Sequence, residues 1–200
     1  MTKVKICGLS RAADIEAVND AMPDYIGFVF APNSRRQISP ELAANLKSQL
    51  HPDIIAVGVF VDAPIAQIKA LVQSGTIGAV QLHGTEDIQY LRRLAAEVNT
   101  PILKALAVTQ KGDAQKWDQS PASHLLLDNA AGGTGQRFDW NLIGKLNKPY
   151  FLAGGLDAQN VTDAIKRVSP FAVDVSSGVE TNGVKDHEKI RSFIRRVRNG

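Results

Sequence analysis

The chain has 200 residues, 44% of them hydrophobic and 22% charged, with one cysteine and a net charge of +3. This is enough chain for one globular domain with a sizeable core, and the lone cysteine excludes an intramolecular disulfide framework. No apolar run approaches the ~18 residues needed to span a bilayer, and "MTKVKICG" lacks the apolar h-region of a signal peptide, so a cytoplasmic protein is expected.

In chain order, short strand-like runs alternate with amphipathic stretches. The strands are "VKIC" (4–7), "YIGFVF" (25–30), "IIAVGVF" (54–60), "GAVQLH" (78–83), "PILKALAV" (101–108), "HLLLD" (124–128), "YFLAGG" (150–155) and "PFAVDVSS" (170–177). Among the helices, "SPELAANLKSQL" has Ser39 to cap it and Pro40 at its first position. "APIAQIKALVQSG" ends at Gly75, a C-terminal stop, and "TEDIQYLRRLAAEV" opens on Thr85 with acidic residues in its first turn. "DAQNVTDAIKRVSP" stops at Pro170, and the weakest helix is 108–120. The tail "DHEKIRSFIRRVRNG" (186–200) holds five Lys/Arg against two Asp/Glu, an excess equal to the whole net charge. It reads as a solvated helix whose cations suit a carboxyl end, and no zinc-finger or RNA-binding motif argues for nucleic acid.

Eight strands alternating with helices imply parallel pairing through right-handed crossovers. An open doubly wound sheet would fit, but the count of eight favours a closed (β/α)8 TIM barrel spanning 1–200 as one α/β domain. The turn "CGLSRAAD" is not the GxGxxG of a dinucleotide fold.

Side chains alternate along a barrel strand between interior and helix layer. With Val4 and Ile6 outward, Lys5 and Cys7 point in; by the same parity Gln81, His83, Asp128 and Asp174 point in. Lys104, between Leu103 and Ala105, is also expected inside, paired with Asp174. Each has an ordinary reading: Cys7 as a small buried hydrophobe, His83 as a core histidine, Asp128 as the cap of the turn "DNA". Their convergence near strand carboxyl ends points instead to a site, because barrel enzymes keep their chemistry there. Zinc is disfavoured by the absence of HxxxH or CxxC, and redox chemistry by the absence of a second cysteine. A Cys-His nucleophile pair or a Schiff-base Lys104 remains a weaker alternative.

Glycine-rich loops follow strands seven and eight, "AGGL" (153–156) and "SSGVETNG" (176–183), the usual phosphate site of a barrel. "AAGGTGQRFDW" (130–140) lacks a Walker GK[ST] and reads as a mobile lid. Arg35 and Arg36, after strand two, would sit at the same mouth, where a guanidinium suits a substrate carboxylate.

The stretches "VKICGL", "GFVFAPNSRRQIS", "VGVF", "VQLHG", "LLLD", "GGTGQRFDW", "LAGGL" and "FAVDVSSGVE" occur in this order over nearly the whole chain. Together they resemble the phosphoribosylanthranilate isomerase family of tryptophan biosynthesis. The resemblance implies an Amadori rearrangement of N-(5-phosphoribosyl)anthranilate, with Asp128 as general acid and Cys7 as general base. It implies Arg36 on the anthranilate carboxylate, His83 and Asp174 lining the pocket, and Gly154, Gly155, Ser177 and Gly178 as phosphate donors. Those roles need a thiolate, which Lys5 favours, and a neutral carboxyl, which burial favours. The expected partner is a small phosphosugar, with no metal, cofactor, nucleic acid or membrane, in a monomer or homodimer. The histidine-pathway isomerase is a rival that resembles the chain less, having aspartate in place of Cys7. A non-catalytic phosphosugar-binding barrel is the other.

Overall fold

Each apolar run pairs in parallel with the next, and the last returns to the first. In the computed structural model, which describes residues 1–129 and 139–200, the strands are β1 (Lys3–Cys7), β2 (Tyr25–Val29), β3 (Ile55–Phe60), β4 (Ala79–Leu82), β5 (Ile102–Ala107), β6 (His124–Asp128), β7 (Tyr150–Leu152) and β8 (Ala172–Val175). They close as a barrel in chain order, with Lys5 level with Asp174 across the β1–β8 seam. The helices are α1 (Ala12–Ala21), α2 (Pro40–Ser48), α3 (Ile65–Gln73), α4 (Ile88–Glu97), α5 (Val161–Val168) and α6 (His187–Asn199). None of the described helices is long and apolar enough to cross a membrane. The expected lid at 130–138 lies outside the described residues.

Local chemistry sets most helix ends. Ser39 accepts a hydrogen bond from the Leu42 amide with Pro40 next in line, and Gly75 follows α3 with φ +73°. Asp186 caps α6, which buries Ile190, Phe193, Ile194 and Val197 and leaves Lys189, Arg191, Arg195, Arg196 and Arg198 exposed. The weak helix at 108–120 is only a 3-10 turn, Gln115–Trp117. Helix α1 carries no early cap residue of the preferred type. Arg11 precedes it, and Asp14 supplies the cap by accepting the Ser10 and Arg11 amides.

Two expectations are corrected. Helix α4 starts at Ile88, because Asp87 caps it by accepting the Tyr90 amide. Glu86, expected in its first turn, is instead buried against Lys104, Nζ to Oε2 at 2.7 Å. Lys104 therefore pairs with Glu86 and not with Asp174, and it faces outward. Its neighbours Leu103 and Ala105 pack inside the barrel with Tyr25, Val57, Leu126 and Phe151. Its register partner Leu82 belongs to the outer layer with Val4, Ile6, Leu125 and Val173.

Aromatic rings fill the amino end of the barrel. Phe151 meets Tyr25 at 5.4 Å and His124 and Phe171 at 5.6 Å between centroids. The opposite rim is therefore the open one.

Candidate active site

Strand β1 ends at Cys7, with Lys5 one inward position below it. The Gly8 and Leu9 amides both donate to the Gly27 carbonyl, turning the chain away, and Gly8 takes φ +85° there. A side chain at Gly27 would come within 2.6 Å of Cys7 Sγ, so that glycine leaves room for the thiol. Ser176, after β8, donates its hydroxyl to the Cys7 carbonyl at 3.0 Å.

Lys5 is fully buried and paired with Asp174, Nζ to Oδ1 at 2.9 Å. Burial pulls Lys5 down, but Asp174 and Cys7 outweigh it and hold the ammonium above its ordinary pKa. For Cys7 the balance goes the other way. Burial pushes the thiol up, Lys5 and Lys185 pull it down, and the net shift is upward. The expected bias of Lys5 towards the thiolate is present but is overcome by desolvation.

Across the barrel, Asp128 ends β6 and accepts the Asn129 amide at 2.7 Å, the local cap foreseen in "DNA". Burial raises its pKa despite that bond and the nearby His83. His83 Nε2 stands 3.7 Å from Asp128 Oδ2, and its Nδ1 meets Gln81 Nε2 at 2.9 Å. Burial lowers the pKa of His83, which favours the neutral ring. A carboxyl and an imidazole both biased towards their neutral forms are suited to proton donation.

Asp128 and Asp174 share a cleft with Ala153, Gly154, Gly155, Ser177 and Gly178. Gly154 and Gly155 have φ of +82° and +65°, which ends β7 at Leu152, short of the expected 155. A side chain on Gly178 would run into the Leu156 carbonyl, so the two glycine loops lie against each other. Such loops expose backbone amides to an anion.

Arg36 lies over Gly8, where an added Cβ would strike its Cδ. Its Nε and Nη2 are held by Glu180 at 2.7 and 2.9 Å. The structure thus brings Cys7, His83, Asp128, Asp174, Gly154, Gly155, Ser177 and Gly178 to one rim, with Arg36 beside them, and leaves Lys104 out. Reading the residues alone missed Glu180 and Lys185, which sit on a hairpin of β9 (Glu180–Thr181), within the second glycine loop, and β10 (Val184–Lys185), directly after it. The alternating "VETNGVK" around Asn182-Gly183, a turn dipeptide, was the available signal. Among the described residues no three His, Cys, Asp or Glu side chains cluster as metal ligands do.

The model of the family described as N-(5'-phosphoribosyl)anthranilate (PRA) isomerase matches residues 4–196. The chain belongs to the PRA isomerase family. The PRA isomerase of Thermoanaerobacter pseudethanolicus is 45% identical over 99% of this chain and 98% of its own. The crystal structure of PRA isomerase from Thermotoga maritima matches with a TM-score of 0.90 at 37% identity, covering both chains fully. A PRA isomerase in complex with reduced 1-(o-carboxyphenylamino)-1-deoxyribulose 5-phosphate matches with a TM-score of 0.87 at 37% identity, again over all of both chains. Membership of the PRA isomerase family makes the chain an isomerase of tryptophan biosynthesis and sets aside the non-catalytic barrel.

Proposed function

We propose that this rim converts N-(5'-phosphoribosyl)anthranilate to 1-(2-carboxyphenylamino)-1-deoxyribulose 5-phosphate, with Asp128 as acid and Cys7 as base. The observation that carries the reading is the shared cleft: Asp128 stands in the same depression as both glycine loops. A phosphate seated on the amides of Gly154, Gly155, Ser177 and Gly178 brings a pentose ring over the Asp128 carboxyl. That group, biased towards its protonated form by burial, delivers its proton to the ring oxygen. The C1′–O bond breaks and the anthranilate nitrogen's lone pair forms the Schiff base. The Cys7 thiolate then removes the C2′ proton, and the electrons flow to the iminium nitrogen to give an enolamine. Return of a proton from Cys7 to C1′, with loss of the C2′ hydroxyl proton to the Asp128 carboxylate, yields the ketose and restores both groups.

Arg36 takes the anthranilate carboxylate, a charge-assisted pair with a planar fork. His83 faces the carboxylate that Asp128 becomes, and Lys5 with Asp174 forms the polar floor beneath Cys7. Acid and base on the well-separated strands β6 and β1 can flank the sugar from different sides, one serving ring opening and the other proton removal at C2′. The same reading places the enzyme in the cytoplasm, where a lone thiol stays reduced. The test is turnover of phosphoribosylanthranilate generated in situ, followed by loss of its fluorescence. Absence of turnover by the folded protein would overturn the proposal.

A further inference from the structure

Glu180 is absent from the acid–base scheme, yet three cationic side chains converge on its carboxylate. Its side chain is 5% exposed, and it receives Arg36 Nε at 2.7 Å, Arg36 Nη2 at 2.9 Å, Arg35 Nη2 at 3.0 Å and Lys185 Nζ at 2.6 Å. It is itself held in place. It pairs across the hairpin with Lys185, and its carbonyl accepts Lys189 Nζ at 2.7 Å. Burial alone would raise its pKa, but the bonds from Arg36 and Lys185 hold it below the ordinary carboxylate value. Lys185 also donates to the Ser176 carbonyl at 3.0 Å, and Ser176 is the residue bonded to the Cys7 carbonyl. The hairpin, Arg36 and the end of β1 are thus one connected polar unit.

A guanidinium presents two edges to carboxylates. Glu180 holds the Nε–Nη2 edge of Arg36, whose stem is pressed against Gly8, next to Cys7. The Nη1–Nη2 edge is the one left for a second carboxylate. Three cations meet at this one buried carboxylate, so the unit stays cationic after Glu180 is counted and still attracts an anion. We propose that Glu180 is the positioning residue for Arg36: it orders the side chain in advance and aims its outer edge at a carboxylate on the ligand's aryl group. Ordering Arg36 before binding removes an entropy cost from the binding step. This inference rests on Arg36 being the carboxylate contact.

The experiment is calorimetric titration with two reduced product analogues, one with the aryl carboxylate and one with an unsubstituted phenyl ring. The parent protein prefers the carboxylate analogue. Glu180→Gln, near-isosteric but uncharged, is expected to bind that analogue roughly tenfold or more weakly, on the scale of a charge-assisted hydrogen bond, and to bind the phenyl analogue as the parent does. Arg36→Ala should show the same selective loss. If Arg36→Ala loses the preference while Glu180→Gln keeps it, the Glu180 proposal is overturned and the Arg36 reading stands. Equal loss on both analogues in Glu180→Gln also overturns it, showing a general structural role. If Arg36→Ala keeps the preference, the Arg36 reading fails and this one with it. Should Glu180→Gln not fold, Glu180→Asp carries the same comparison, because its shorter carboxylate cannot span both guanidinium nitrogens from the same backbone position.

Discussion

Lys5 and Asp174 meet across the seam that closes the barrel, Nζ to Oδ1 at 2.9 Å, from neighbouring positions on β1 and β8. The pair lies beneath Cys7 and joins the first strand to the last. Lys5→Met leaves Asp174 buried without its cation, so a stability loss of about 3–5 kcal/mol is expected in urea unfolding. The same change removes the nearest charge that pulls the Cys7 thiol down. The midpoint of iodoacetamide alkylation of Cys7 against pH should therefore move upward. An unmoved midpoint would show that Lys5 does not act on the thiol.

The pH profile follows from the two upward shifts. Residues alone suggest an acidic limb from Cys7 and a basic limb from Asp128. In the structure burial moves Cys7 above an ordinary thiol and Asp128 above an ordinary carboxylate; with both raised, the ordinary order of a thiol titrating after a carboxylate is expected to hold. The competent form, thiolate with neutral acid, is then a minority species. Below the Asp128 pKa its population rises as the thiol loses protons. Between the two pKa values the gain in thiolate cancels the loss of acid. Above the Cys7 pKa only the loss of acid remains, and the rate falls. The acidic limb of kcat/KM should thus coincide with Asp128 and the alkaline limb with Cys7. An alkylation midpoint for Cys7 that matched the acidic limb would contradict this order.

Cys7→Ser and Asp128→Asn should both fold, as circular dichroism would show, because each is close to isosteric. Each should lose at least the 10²–10⁴-fold that a general acid–base step typically contributes. A hydroxyl is a far weaker base than a thiolate, and an amide cannot deliver the proton. Near-parent turnover in Cys7→Ser would return Cys7 to a packing role.

Glu86 separates stability from activity. Its Oε1 accepts the Asp62 amide, and its Oε2 accepts the Gly84 amide and Lys104, all outside the barrel interior. Glu86→Gln leaves Lys104 buried and unpaired, with an expected loss of about 3–5 kcal/mol. The kcat of the folded fraction should stay near the parent's. A large fall in kcat with unchanged melting would place this pair in the chemistry instead.

Gly178→Ala tests the phosphate loops. The added methyl collides with the Leu156 carbonyl and pushes the β7 and β8 loops apart. KM should rise, and inorganic phosphate should become a weaker competitive inhibitor. Unchanged inhibition by phosphate would move the anion site elsewhere.

The eight strands and the rim were legible because both rest on local rules. A two-residue period places Lys5 with Cys7 and Gln81 with His83, and polar side chains that alternate with apolar ones in a strand mark the inner face. Lys104 defeated that rule. Leu103 and Ala105 are apolar, but so is every other position near them, because a barrel strand is buried on both faces. Apolar content then carries no direction. Ion-pair partners were equally out of reach. Asp174 is 169 positions from Lys5, and Glu86 is 18 from Lys104. The sequence by itself determined the strand order, the family and most of the residues at the rim, but not Glu180 and Lys185. Only the tertiary structure decided which carboxylate each buried cation meets, that Glu180 holds Arg36, and that burial outweighs Lys5 at Cys7. Those outcomes depend on distances across the closed barrel and on desolvation, and neither has a local pattern in the chain.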